Sequence, residues 1–238
     1  LGDVYKRQLW LTVPVVHAVS TWAIGDILPH SFEYGYGTGY IATSLLVRYS
    51  LGEHRHQNWR KQMAILITGG AGYIGSHTCV EMLEDGREIV VVDNFSNSSP
   101  VALDRVEQIT GKEVRFHQVD LLDEDALREV FRSYSFEAVI HFAALKAVGE
   151  SVSMPLTYYK NNVSGSLILF EVMQEHHVKN IVFSSSATVY GDPSSVPITE
   201  DFPIQPTNPY GWTKAMMEQI LIDLQRAKPD WNVILLRY

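Results

Sequence analysis

From residue 63 to residue 238 the chain alternates between two hydrophobic rhythms. Short apolar, β-branched runs recur at 65–68, 89–93, 114–119, 138–142, 180–184 and 233–237, and between them apolar positions return three or four residues apart. The runs read as strands, and the intervening stretches read as helices beginning near Tyr73, Pro100, Asp123, Pro155 and Pro209. Pro100, Pro155 and Pro209 suit first helical turns, where a missing N–H costs nothing, and Gly86 and Gly111 fall where helices should end. Strand and helix in steady alternation require right-handed crossovers, so the expected fold class is α/β, a doubly wound parallel sheet. The strands read as apolar throughout, as burial on both faces requires.

Residues 1–62 do not share this rhythm. They hold Trp10, Trp22 and Trp59, three of the five tryptophans, and show no sustained period. Lys6 and Arg7 ahead of the apolar stretch 9–16 imitate a secretion signal with Ala18 as its cleavage point, but Pro14 interrupts the stretch. It is also far shorter than the roughly 20 residues that span a bilayer. The glycine and tyrosine cluster FEYGYGTGY at 32–40 and the run His54, Arg55, His56 read as surface loop. Because the chain begins on Leu1 and Met63 directly precedes the first strand, 1–62 is read as a non-native extension from upstream or adapter sequence, without a fold of its own. Residues 63–238 are read as one domain ending after its sixth strand.

Charge separates the same two parts. The formal charge is -8 overall, but 1–62 carries six Lys/Arg against four Asp/Glu, and 63–238 carries 13 against 23, a net of -10. Such a surface repels phosphate backbones at long range, which argues against a nucleic-acid partner. Cys79 is the only cysteine, excluding an internal disulfide and a Cys-rich zinc site; it reads as a buried helix residue in a reducing, cytoplasmic protein. No histidine spacing suits a metal: His141 stands among apolar strand residues, as a satisfied core side chain would, and His176 and His177 fall near an exposed helix end.

The segment TGGAGYIGSHT passes from the first strand into the first helix. Gly69, Gly72 and Gly75 satisfy G-x-x-G-x-x-G, and Gly70, Gly72 and Gly75 satisfy G-x-G-x-x-G. Glycine permits the positive φ of the turn, lets a pyrophosphate approach the main chain and lets helix pack on strand, while the helix N-terminus offers free N–H groups. The second strand ends in Asp93, placed to accept hydrogen bonds from adenosine ribose hydroxyls and to repel a 2′-phosphate. No Arg or Lys lies within 94–99, so NAD is favoured over NADP. This combination specifies a Rossmann-type NAD-binding domain.

Tyr210 and Lys214 stand i, i+4 in the helix that opens at Pro209, so they share a face. Bringing a tyrosine from about 10 to near 7 requires about 4 kcal/mol, and one positive charge about 5 Å away supplies roughly 3 at an effective dielectric near 20. Lys214 with a cationic nicotinamide ring is therefore expected to depress Tyr210 and make it a base. Ser184, Ser185 and Ser186 end the fifth strand, on the sheet edge where ligands bind. Ser184 or Ser185 is expected to cap a turn and Ser186 to hold the reacting oxygen.

These features together resemble the extended short-chain dehydrogenase/reductase family. TGGAGYIGSHT, VVDNFSNS, HFAALKAVGES, YYKNNVSG, FSSSATVYGDP and NPYGWTKAMMEQIL are similar, within it, to the UDP-glucose 4-epimerases (UDP-galactose 4-epimerases), over the whole of 63–238. The resemblance implies that Tyr73 and Ile74 contact NAD, as do Asp93, Asn94, Phe95, Ser96, Asn97 and Ser98. It places Asp120 and Leu121 near the adenine. Phe142, Ala143, Ala144, Leu145, Lys146 and Asn161 would line the rest of the dinucleotide site, Lys146 near the phosphates, with Tyr210 and Lys214 closing it. Ser186 and Tyr210 would bind the UDP-hexose substrate. The implied reaction exchanges UDP-glucose and UDP-galactose through a bound 4-keto sugar, Tyr210 deprotonating the 4-hydroxyl while tightly held NAD takes and returns the C4 hydride.

Alternatives within the family are a UDP-N-acetylhexosamine or UDP-uronate 4-epimerase. Dehydratases of this pattern place an Asp-Glu pair where this chain has Ser185 and Ser186 followed by Ala187, which argues against dehydration. A catalytically inactive NAD-binding fragment is the reading from another class, because the family's smaller C-terminal substrate domain is missing after Tyr238. The truncated chain is then expected to be inactive. The resemblance also implies a homodimer of the full-length enzyme through segments 155–176 and 209–228.

Overall fold

The computed structural model describes residues 63–238. The reading of 1–62 as an extension lies outside the described residues. Six parallel strands, β1 (Ala64–Thr68), β2 (Ile89–Asp93), β3 (Arg115–Gln118), β4 (Phe136–His141), β5 (Asn180–Ser184) and β6 (Asn232–Leu236), form one sheet in the order β3-β2-β1-β4-β5-β6. The order reverses between β1 and β4, and a crevice opens there beyond the strands' carboxyl ends.

Alternate residues of each central strand feed two cores. On one side Leu66, Val90, Val139 and Phe183 meet α3 (Glu124–Ser133), α6 (Gly165–Glu175) and α7 (Pro209–Ala227) through Phe131, Leu169, Met173 and Leu221. On the other Ile65, Ile67, Val91 and Ile140 meet α1 (Tyr73–Glu84) and α2 (Val101–Thr110) through Cys79, Met82, Leu103 and Val106. Cys79 is fully buried, its Sγ 3.8 Å from the Gly70 carbonyl, and burial pushes its thiol up to about 12. Caps follow the expected chemistry: Asp123 accepts from the Ala126 N–H at the start of α3, and Gly111 ends α2 at φ 66.

Two expectations are corrected. β3 is not apolar: Arg115, Phe116 and Gln118 are exposed because β3 is an edge strand with a neighbour on one side only. The helix expected from Pro155 runs to Glu175 with a π-helical stretch inside it, but a separate short helix that was not expected precedes it. α4 (Val148–Ser153) ends at Met154, whose φ -129 and ψ 52 follow from the proline after it. Then come α5 (Pro155–Tyr158), a π-helical turn (Tyr159–Ser164) and α6.

Candidate active site

A cleft of about 290 Å³ runs along the carboxyl edge of the sheet, from the glycine turn at one end to Tyr210 and Lys214 at the other. At the first end Gly69 has φ +70, and a Cβ there would come within 2.6 Å of the Ala143 nitrogen; a Cβ on Gly75 would overlap the Gly69 carbonyl. The turn therefore lies tight against β4, and α1 tight against the turn. Gly72 is the N-cap of α1 and supplies no side-chain bond, so the N–H groups of the first turn are available to an anion in the cleft. Asp93 is buried and accepts from the Ala71 N–H at 3.0 Å, the Phe95 N–H at 2.9 Å and the Ser98 hydroxyl at 2.8 Å. A carboxylate has about four acceptor positions, which leaves Asp93 able to take one more hydroxyl. Asn94 donates to Asp120 at 2.9 Å, joining the ends of β2 and β3.

At the other end, Asn208 accepts from the Gly211 N–H at 2.8 Å and fixes the first turn of α7. Tyr210, Lys214 and Ser186 are each at most 9% exposed. Lys214 Nζ donates to the Ser184 carbonyl at 2.7 Å and lies 4.9 Å from the Phe183 ring centroid and 5.9 Å from that of Tyr210. Burial brings Lys214 down to about 7, with Glu218 pulling the other way. Tyr210 is raised by burial and drawn back by its hydrogen bond with Ser186. The depression expected of Tyr210 from Lys214 together with the nicotinamide ring is not produced by the protein alone, where burial of the phenol outweighs its hydrogen bond with Ser186.

A buried hydrogen-bond chain joins the two ends. Thr68 Oγ1 lies 2.6 Å from His141 Nδ1, His141 Nε2 2.8 Å from Ser166 Oγ, and Ser166 donates to the Asn162 carbonyl at 2.6 Å. Since the Ser166 proton is committed to Asn162, its oxygen accepts from Nε2–H, and Nδ1 accepts from Thr68. Burial drops His141 to about 3, so the ring is neutral. The Asn162 amide binds both polar groups of the Leu145 main chain, at 2.8 and 2.9 Å, and donates to Thr213 at 3.1 Å; Thr213 in turn donates to the Tyr210 carbonyl at 2.7 Å.

Residues 65–238 match the NAD dependent epimerase/dehydratase family. The chain belongs to that family. It is 65% identical over 176 residues to UDP-glucose 4-epimerase of Bacillus subtilis, covering 74% of this chain and 52% of the relative, and 60% identical over 174 residues to that of Dictyostelium discoideum, covering 73% and 51%. The chain thus spans about half the length of the curated relatives it matches. A crystal structure of UDP-glucose 4-epimerase from Bifidobacterium longum in complex with NAD+ and UDP superimposes with a TM-score of 0.73 at 54% identity, covering 74% of this chain and 53% of that one.

In this family member most of the anticipated residues meet in one cleft. Gly69, Gly72, Tyr73, Ile74, Gly75, Asp93, Asn94, Ser96, Asn97, Asp120 and Leu121 line one part, and Phe142, Ala143, Ala144, Lys146, Asn161, Ser186, Tyr210 and Lys214 the other. Phe95, Ser98 and Leu145 do not line it. Phe95, at φ 58, turns its ring onto Phe116; Ser98 braces Asp93; Leu145 is tied through its main chain to Asn162. The turn cap is also reassigned. Ser186 itself begins the short 3-10 turn Ala187–Tyr190, accepting from the Thr188 N–H at 3.2 Å, while Ser184 pairs with the Tyr238 hydroxyl and Ser185 with Glu218. Sequence reasoning missed Val92, Val119 and Tyr238 in the lining and Asn162 behind it. The doubled asparagine was the only hint of Asn162. No group of three or more His, Cys, Asp or Glu among the described residues is arranged to hold a metal, and no described helix is long and apolar enough to cross a membrane.

Proposed function

We propose that this chain is the NAD-binding part of a nucleotide-sugar epimerase that interconverts UDP-glucose and UDP-galactose at C4. The observation that carries the reading is the convergence of Ser186, Tyr210 and Lys214, all buried, at one end of a cleft whose other end holds the glycine turn and Asp93. The identity to UDP-glucose 4-epimerases supports it. Asp93, with no Arg or Lys in 94–99, favours NAD over NADP, and Lys146, in the lining of the cleft, would approach the phosphates. Bound NAD supplies the acceptor and donor of the sugar's C4 hydrogen. The chain's own residues handle the proton. Ser186 orients the 4-hydroxyl toward Tyr210, which burial alone would keep protonated; the Lys214 ammonium, anchored on the Ser184 carbonyl, would favour the Tyr210 phenolate that removes the hydroxyl proton once the cationic nicotinamide ring of bound NAD adds its field. Return of the proton from Tyr210 to the 4-oxygen completes the exchange.

The test is reduction of bound NAD, seen at the absorbance of the reduced nicotinamide, on adding UDP-galactose to an NAD-loaded chain of the relatives' length. NAD release without reduction overturns the reading. Spanning half of that length, the 238-residue chain is expected to retain NAD without turnover; conversion of UDP-galactose by it alone refutes this. A homodimer belongs to the proposal, supported by exposed Leu156, Leu167, Trp212 and Met216 on α5, α6 and α7. Sedimentation as a monomer at micromolar concentration removes it. A cytoplasmic setting fits a domain whose single thiol is free and buried, and the surplus of acidic residues disfavours nucleic acid.

A further inference from the structure

One face of α7 carries Tyr210, Lys214 and Glu218, each four residues from the last. Two of them line the cleft; the third does not, yet its carboxylate is buried at 3% exposure and closed in by three donor atoms from two other elements. Arg237, just beyond β6, grips it as a fork: Nε is 2.9 Å from Oε1 and 3.1 Å from Oε2, and Nη2 is 2.6 Å from Oε2. Ser185 Oγ donates to Oε1. The remaining arm of the guanidinium, Nη1, donates to the Tyr190 hydroxyl at 2.7 Å, and its central carbon stacks 5.1 Å from the Tyr190 ring centroid. Ser185 and Tyr190 are the two ends of the short segment that holds Ser186. A buried ion pair contributes little net stability, since desolvation offsets its attraction; what this one delivers is placement.

We propose that Glu218 is a positioning residue of the site: clamped by Arg237, it fixes the segment that presents Ser186 and supplies the stationary negative charge that holds the Lys214 ammonium beside Tyr210. The inference rests on the proposed function only for the roles of the residues positioned. The titratable and charged groups on the elements around Lys214 are Tyr210 and Glu218 on its own helix, His141 of β4, and Arg237 and Tyr238 after β6. Of these, Glu218 is the one that opposes the effect of burial, and His141 is neutral.

The experiment is an NMR titration of the 238-residue chain labelled at the lysine ε-carbon, whose shift reports ionisation, with Lys214 assigned by its loss in Lys214→Arg. The parent midpoint is expected near 7. In Glu218→Gln it falls by about one unit, a tenfold drop in the charged-to-neutral ratio. It falls by less in Glu218→Gln/Arg237→Met, because removing the half-buried guanidinium offsets part of the loss of the carboxylate; that variant leaves neither partner unpaired and so escapes the unfolding that one unpaired charge can cause. Glu218→Asp, which keeps the carboxylate, moves the midpoint less than Glu218→Gln. The titration needs neither nucleotide nor sugar, so its failure is separate from failure of the UDP-hexose reading, which shows as absent NAD reduction in the parent. An unchanged Lys214 midpoint in either folded variant overturns the proposal.

Discussion

The two ends of the cleft are built from different materials. The glycine-turn end is main chain: a tight turn, an uncapped helix start and one carboxylate braced by three donors. The Tyr210 end is made of side chains, and burial sets the ionisation of Lys214 and His141, both below 5% exposed. A fixed anion can be met by oriented peptide dipoles that need no adjustment, whereas a proton can be moved only by groups held near the balance between charged and neutral. The first end should therefore fail sterically and abruptly, and the second electrostatically and with pH.

Breaking the first end is expected to have the largest effect. Gly69→Val puts a branched side chain at φ +70 and within 2.6 Å of the Ala143 nitrogen, and should cost about 4 kcal/mol in urea unfolding and abolish NAD binding. A variant that unfolds like the parent would show the turn to be looser than described. Next is Tyr210→Phe in an active chain of the relatives' length. NAD reduction by UDP-galactose should slow by about 10²- to 10⁴-fold, while NAD affinity measured by fluorescence changes little.

The third prediction concerns His141, whose folded value of about 3 lies below its unfolded value of 6.5. Between these values the unfolded chain binds the extra proton, so stability is full above pH 6.5 and lost as pH falls toward 3. Going from pH 6.5 to 4 should remove about 3 kcal/mol through this residue, and equal acid sensitivity in His141→Gln would assign that loss elsewhere. The smallest effect is expected for Asp93→Asn, which keeps an acceptor but turns an NH₂ toward bound donors. NAD affinity should drop about tenfold, measured by calorimetry, with the NAD-over-NADP preference weakened.

How much of this was legible differs between the ends as well. Gly69, Gly72, Gly75 and Asp93 are consecutive features of a strand, turn and strand, and local stereochemistry dictates their residue types, so one short motif announced them. Tyr210 and Lys214 could be paired because helix spacing is local too. Glu218 with Arg237, and Asn162 with Leu145 and Thr213, are joined across 19, 17 and 51 positions, and nothing local marks a residue that will be buried with a distant partner. Sequence periodicity also could not reveal that β3 would lie at an edge, since strand order is a property of the whole sheet.

Cys79 has a use that its chemistry alone would not suggest. It is the single thiol of the chain and lies wholly covered under the glycine turn, protonated at any ordinary pH. A thiol-directed dye can then reach it only in molecules whose first helix has lifted from the sheet, so the labelling rate is a stopwatch for that opening. A nucleotide seated on the turn slows the stopwatch in proportion to its occupancy, which gives a readout of cofactor retention that needs no substrate at all.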